Sequence, residues 1–330
     1  MEVLFEILQT PFLGKALWLW LTFLSIVVGL LAFDLGVLHK DDHEIGIKES
    51  LLLSAGYIGI ALVFGAWTWL YFGAQSGMEY FTGFLVEKSL SMDNIFVIAL
   101  IFTYFAIPPQ YQHRVLFWGT LGVIVLRAIM IGLGAALLTQ FSWILYVFGA
   151  FLVFTGIKMW MLAEHVPDIG NNPMLKFLRK HVRVTPNLHG HAFFVKAPHA
   201  ANGKMVRFAT PLFLALCLVE SADLVFAVDS VPAIFAITRD PFIVYTSNIF
   251  AILGLRALYF ALAAMIHRLK YLKYALALVL VFVGAKIFLV GIIGKIPPVV
   301  SLSVTFGLIA GGVIVSLRRT RAERLTLGAS

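Results

Sequence analysis

This chain is short of charge, of cysteine and of the motifs that mark soluble enzymes. Only 13% of its 330 residues are charged, against roughly 25% in soluble domains, which excludes a sizeable water-soluble domain. Its single cysteine, Cys217, excludes an internal disulfide and reads as a small core residue. The N-terminus has no basic n-region and no small-residue cleavage site, so it does not read as a signal peptide. Neither a nucleophile–base pair nor a phosphate-binding loop stands out, so no enzymatic activity and no prosthetic group are expected. The 25 Lys and Arg exceed the 17 Asp and Glu without forming a groove-like patch, and a nucleic-acid partner is not expected.

What is present is apolar length. The chain is 61% hydrophobic with a mean hydropathy of +0.94. Nine segments are long enough to cross a hydrocarbon core of roughly 30 Å: 16–38, 51–72, 79–106, 115–138, 141–163, 211–236, 242–265, 271–290 and 299–317. The expected fold is an all-α polytopic membrane protein with nine transmembrane helices. Residues 1–15 read as an amphipathic interfacial piece, with Glu2 and Glu6 opposing Leu4, Phe5 and Leu8.

Basic residues set the orientation. With the N-terminus outside, the inner segments hold 17 of the 25 Lys and Arg and the outer ones three: Lys15, Arg239 and Lys295. Lys88, Arg127, Lys158, Arg256 and Lys286 fall within spans. A bacterial inner-membrane protein with its N-terminus outside and its C-terminus cytoplasmic follows. The long connector 164–210 carries seven basic residues and five histidines (His165, His181, His189, His191, His199). It reads as a hydrated cytoplasmic segment touching anionic lipid; metal sampling by His189 and His191 is the sharper alternative.

The chain also repeats itself. Asp93-Asn-Ile-Phe-Val-Ile matches Asp223-Leu-Val-Phe-Ala-Val, and Leu126-Arg127-Ala128 matches Leu255-Arg256-Ala257. Tyr146 to Lys158 matches Tyr274 to Lys286 without a gap, offset by 128, with six of thirteen positions identical. Each unit holds three spans, an odd number, so the second must enter the membrane from the opposite side. Inverted repeats of this kind place a substrate site near the midplane. The expected organisation is two peripheral helices in 1–78, a first three-helix repeat in 79–163, the loop 164–210, a second, inverted repeat in 211–290, and a last helix with a basic tail in 291–330.

Five carboxylates lie well inside two of the spans: Glu87 and Asp93 in the third, Glu220, Asp223 and Asp229 in the sixth. An ionised acid at bilayer depth costs at least roughly 2.5–3.5 kcal/mol, so the five must face a polar interior, be protonated or hold a cation. Asp93 and Asp223, matched by the repeat, are expected to meet near its axis. Glu220 and Asp229 are nine residues apart and fall on opposite helix faces, so a single cage needs a break. Pro232, which cannot donate to the Val228 carbonyl, is the candidate. Asn94, Ser221, Ser230 and Asn248 would add oxygen ligands, and no histidine falls in either acidic span. Such a donor set suits a hard or borderline divalent cation better than zinc or copper. Arg127 and Arg256 would be internal counterions when the cation leaves, or would lock helix packing. Pairing of every acid with a basic residue, and a proton or anion pathway, are the competing readings; Lys158 and Lys286, near span ends, are expected to snorkel.

Glu87-Lys-Ser-Leu-Ser-Met-Asp-Asn-Ile-Phe-Val, Val219-Glu-Ser-Ala-Asp-Leu-Val-Phe-Ala-Val-Asp-Ser-Val-Pro-Ala and Thr246-Ser-Asn-Ile-Phe-Ala-Ile-Leu-Gly-Leu-Arg-Ala resemble the signature stretches of the TerC family, its Alx-type bacterial members most. The resemblance covers nearly the whole chain. It implies a nine-span inner-membrane protein of metal homeostasis, with Mn²⁺ as transported substrate, and its acidic positions fall on Glu87, Asp93, Glu220, Asp223 and Asp229. Tellurite is an anion that a cage of acids suits poorly, so the tellurite resistance in the family's name reads as indirect. The expected function is Mn²⁺ export from the cytoplasm, with coupling to inward proton flow through the titratable acids. The alternative, suggested by plant relatives of the family, is a membrane scaffold or insertion factor that works through its long loop without transport.

Overall fold

A computed structural model describes residues 2–34, 46–141, 143–162, 168–198, 205–263, 271–294 and 296–327. Its elements are almost all helical: α1 (Glu2–Gln9), α2 (Leu17–Phe33), α3 (Ile47–Phe72), α4 (Ala74–Tyr104), α5 (Pro109–Gln140), α6 (Ile144–Met161), α7 (Pro173–His181), α8 (Pro211–Phe235), α9 (Pro241–Ala263), α10 (Leu272–Ile293) and α11 (Pro298–Leu327). Proline opens α5, α7, α8, α9 and α11, the position where its missing N–H and fixed φ cost nothing. Gly73, at φ +94°, is the whole connection between α3 and α4; only glycine takes that conformation without strain.

Each of the nine expected apolar segments coincides with a helix among the described residues. Six are long and apolar enough to cross a membrane, seven if the bent α9 is one span. Of the other two, α2 is short at 17 residues. The 31 residues of α4, about 46 Å long at 1.5 Å per residue, carry the charges that dilute its hydropathy. Apolar side chains point outward along the helices, among them Leu70 at 86% and Ile292 at 82% exposure, far more than a water-facing surface tolerates. The molecule is an all-α, multi-pass membrane protein.

The expected amphipathic start is present as α1, followed by a small hairpin pairing β1 (Pro11–Phe12) with β2 (Lys15–Ala16). The 164–210 segment departs from an irregular connector. It contains α7 and an antiparallel hairpin of β3 (Phe194–Pro198) and β4 (Met205–Ala209). Leu175 and Leu178, three residues apart on one face of α7, are buried with Phe102 and Leu212, which caps the ends of α4 and α8. His165 and His199 lie outside the described residues.

The helices that carry the matched stretches of sequence pack against one another. Helix α4 lies against α9 and α8 against α5, while α4 also meets α8, α5 meets α9 and α6 meets α10. A Cβ added to Gly284 would stand 2.7 Å from the Gly149 carbonyl oxygen, and one added to Gly156 would stand 2.7 Å from that of Ala277. The 128-residue offset pairs Gly149 with Ala277 and Gly156 with Gly284, so exchanging the units maps one contact onto the other. Overpacking such a site costs about 1–3 kcal/mol. Gly156→Val is therefore expected to lower the unfolding midpoint in detergent. Gly132→Val, where a Cβ meets open space, should not, and equal effects would show the α6–α10 contact to be unimportant.

Among the described residues, two apolar cores are the largest in the bundle. One contains Phe64, Phe84, Ile131, Ala227, Phe235 and Phe242; the other contains Ile95, Phe102, Leu116, Val219 and Tyr259 and joins α7. Between Phe84 and Ile95 on α4, Leu116 and Ile131 on α5, and Val219 and Ala227 on α8, the chain inserts its charged residues.

Candidate functional site

The polar layer is built around Arg127. Arg127 is 1% exposed, and a group that cannot lose its charge needs acceptors at that depth. Nη2 donates to Glu87 Oε1 at 2.7 Å and Nη1 to Ser230 Oγ at 2.7 Å. The other Glu87 oxygen accepts from Asn248 Nδ2 at 3.1 Å, and Ser91 Oγ donates to Oε1 at 3.3 Å. Helices α4, α5, α8 and α9 are thus tied at one point. Of the expected site residues, Glu87, Arg127, Asn248 and Ser230 come together here, with both carboxylate oxygens of Glu87 engaged.

Next to this knot lies a cavity of about 40 Å³, lined by Asn94, Thr120, Arg127, Asp223 and Tyr259 among apolar neighbours. A water needs at least about 10–15 Å³ of such space, so there is room for two or three waters or one partly hydrated ion. Asn94 Nδ2 donates to Asp223 Oδ1 at 3.3 Å. Its own Oδ1 is buried without a hydrogen-bond partner. An orphaned amide oxygen beside a carboxylate is what a cation would otherwise satisfy.

The remaining acids are spread out. Glu220 is half-buried, its carboxylate lying against Gly122 of α5 with no hydrogen bond or ion pair among the described residues. Asp229 faces α6 and accepts from Thr155 Oγ1 at 3.3 Å. Helix α8 runs unbroken from Pro211 to Phe235 with Pro232 inside it, so the break expected at Pro232 is not there and Asp229 stays on the far face. Among the described residues no three acidic, histidine or cysteine side chains form a metal-binding group. Asp93 and Arg256 belong to α4 and α9, but their side chains lie outside the described residues.

Other expectations are corrected in detail. Ser221 donates to the Leu218 carbonyl at 2.9 Å and does not line the cavity. Lys286 does not snorkel: it is 9% exposed, with Nζ donating to Ser301 Oγ on α11 at 3.3 Å. Lys88 is 8% exposed and donates to the Ala251 carbonyl of α9 at 3.3 Å, whereas Lys158 is exposed as expected. Sequence reasoning missed Thr120 and Tyr259, which sit in helices that read as plainly apolar; nothing in their spacing sets them apart.

Comparison with known proteins agrees with this architecture. Residues 72–324 match the integral membrane protein TerC family. A membrane protein of Rickettsia bellii, described as uncharacterised, is 50% identical over 300 residues, 91% of this chain and 97% of its own length. One from Myxococcus xanthus is 48% identical over 303 residues, 92% and 93% of the two chains. An Escherichia coli protein named "Putative membrane-bound redox modulator Alx" is 46% identical over 307 residues, 90% and 94% of the two chains. No solved structure matches the chain. With a family match over most of its length and relatives near half-identical across nine tenths of it, this chain belongs to the TerC family of integral membrane proteins.

Proposed function

We propose that this protein exports a divalent cation, Mn²⁺ foremost, from the bacterial cytoplasm across the inner membrane. The observation that carries the reading is Asp223 lining a cavity beside the unpartnered Asn94 oxygen. Arg127 lines the same cavity, but its charge is balanced by Glu87 at 2.7 Å. That leaves Asp223, and Glu220 one turn away, as negative charge with no ion-pair partner among the described residues. The polar lining groups other than Arg127 offer oxygen, from carboxylate, amide and hydroxyl, the donor set of Mg²⁺, Ca²⁺ and Mn²⁺. Asp93, the residue before Asn94, is the further ligand we assign to the cation. In this conformation Glu87 acts as counterion and would reach a metal only if Arg127 withdrew.

We read nine spans and an inverted repeat, and the packing of α6 against α10 supports the repeat. The reciprocal contacts of Gly149 with Gly284 and Gly156 with Ala277 are those of antiparallel helices exchanged by a two-fold axis in the membrane plane. The basic-residue asymmetry supports an outside N-terminus. Redox modulation, in the name of the Escherichia coli relative, would rest here on the single thiol of Cys217, which cannot form a dithiol within one chain.

The test is manganese uptake into everted vesicles. Asn94→Ala is expected to lower the initial rate about tenfold, the equivalent of roughly 1.4 kcal/mol. Asp229→Asn, on the face away from the cavity, should change it less than about threefold on the same scale. A reversed order would move the site to α6. Proton coupling is tested in proteoliposomes, where a pH gradient acidic on the receiving side should speed uptake; rates indifferent to the gradient would remove the coupling.

A further inference from the structure

The barriers on the two sides of the cavity are unequal. On one side stand the Glu87–Arg127–Asn248–Ser230 knot and, behind it, the aromatic core with Phe84, Phe235 and Phe242. On the side that carries α7, the cavity runs past Val219 and Leu116 to Tyr259, which lines it and is 3% exposed. The Tyr259 hydroxyl donates to Gln112 Oε1 at 3.3 Å, and Gln112 Nε2 donates to the Ile107 carbonyl at 3.0 Å. Gln112 is half-buried, in the first turn of α5. On this side the wall holds no charged pair: the Tyr259 side chain and its neutral hydrogen bond stand among the apolar side chains of Phe102, Leu116 and Val219. The Tyr259 ring also meets Phe102 of α4 edge-on, with centroids 5.7 Å apart, so the tyrosine links α9 to both helices that contribute the other wall.

We propose that Tyr259 and Gln112 form the gate through which the cation enters the cavity from the α7 side. A neutral hydrogen bond is worth far less than the charge-assisted pair on the opposite side, so this barrier opens first and the knot holds while it is open. A gate at the entry also accounts for a tyrosine rather than a phenylalanine at a buried position. Its hydroxyl is held by a partner at the helix end, and in the open state it would offer the ion an oxygen on the way in. The inference rests on the transport reading for what passes, but not for whether the passage opens.

The experiment uses thiol access in the full-length protein in sealed vesicles. Cys217→Ser removes the native thiol, and Thr120→Cys places a reporter on the cavity wall, at a position 6% exposed. Lys196→Cys on the exposed face of β3, made in a separate protein, marks which membrane face carries the hairpin. A membrane-impermeant thiol reagent applied from that face is expected to label Thr120→Cys at least about tenfold faster when Tyr259→Ala is added. Gln112→Ala should give a rise of several-fold, and neither should change labelling from the opposite face. Gln112 is half-buried at a helix end, so its variant keeps the test decisive if Tyr259→Ala fails to fold. Unchanged labelling in Gln112→Ala, or equal acceleration from both faces, overturns the gate. Labelling that rises as expected in a protein that moves no manganese keeps the gate and rejects the transport reading.

Discussion

Replacing Asp223 by Asn is expected to cut manganese export about a hundredfold while leaving the fold intact. Among the described residues, Asp223 is the sole carboxylate lining the cavity. At an effective dielectric constant near 20, a unit charge 4 Å away is worth about 4 kcal/mol, and a divalent ion doubles it. Dehydrating the ion offsets much of that gain. A net loss of about 3 kcal/mol in the variant corresponds to the hundredfold fall. Asn keeps the shape of Asp and can still accept from Asn94 Nδ2, so the unfolding free energy should change by less than about 1 kcal/mol, the worth of one hydrogen bond. Initial rates in everted vesicles, paired with chemical unfolding in detergent, measure both. An Asp223→Asn protein within threefold of the parent rate would show that this carboxylate does not hold the ion.

The second large effect concerns stability. Arg127→Met leaves Glu87, 1% exposed, with Asn248 and Ser91 as its partners among the described residues. Removing one member of a buried ion pair costs about 3–5 kcal/mol because the other charge stays uncompensated. Adding Glu87→Gln should recover at least half of that loss, since the remaining amide needs no counterion. Arg127→Lys should not substitute: a single ammonium cannot reproduce the fork that reaches Glu87 on α4 and Ser230 on α8 at once. Denaturant midpoints of the four proteins decide. If Arg127→Met unfolds like the parent, or the double variant is no better than the single, the knot is not what ties these four helices.

Much of the frame could be read from residues alone, because the bilayer demands long apolar runs and proline marks where they begin. The span expected at 211–236 is α8 at Pro211–Phe235, and those expected at 242–265 and 299–317 start within one residue of Pro241 and Pro298. Depth was legible too: an acid in an apolar run has to face inward, and Glu87 and Asp223 do. Which base meets which acid was not legible. Arg127 could pair with any of several carboxylates until the rotation of α5 about its axis is known, and apolar sequence on every face hides that rotation. The same ambiguity hid Thr120 and Tyr259. Pro232 misled because a proline in the last turn of a helix need not open it: the Ala236 N–H still reaches the Pro232 carbonyl at 3.0 Å. In the 164–210 segment the polar composition outweighed two weaker signals. These were the i, i+3 pair Leu175 and Leu178, and the Phe and Val residues of Phe194–Pro198 and Met205–Ala209, which favour strands.

The most direct test of the central claim is metal accumulation by the parent protein in everted vesicles, with Mn²⁺ offered alone and against Ca²⁺, Mg²⁺ and Zn²⁺. A hard-oxygen site holding one partly hydrated divalent ion should give saturable Mn²⁺ uptake above that of vesicles lacking the protein. Excess Ca²⁺ should compete, and Zn²⁺ should compete less. Uptake no greater than in vesicles without the protein would contradict the account.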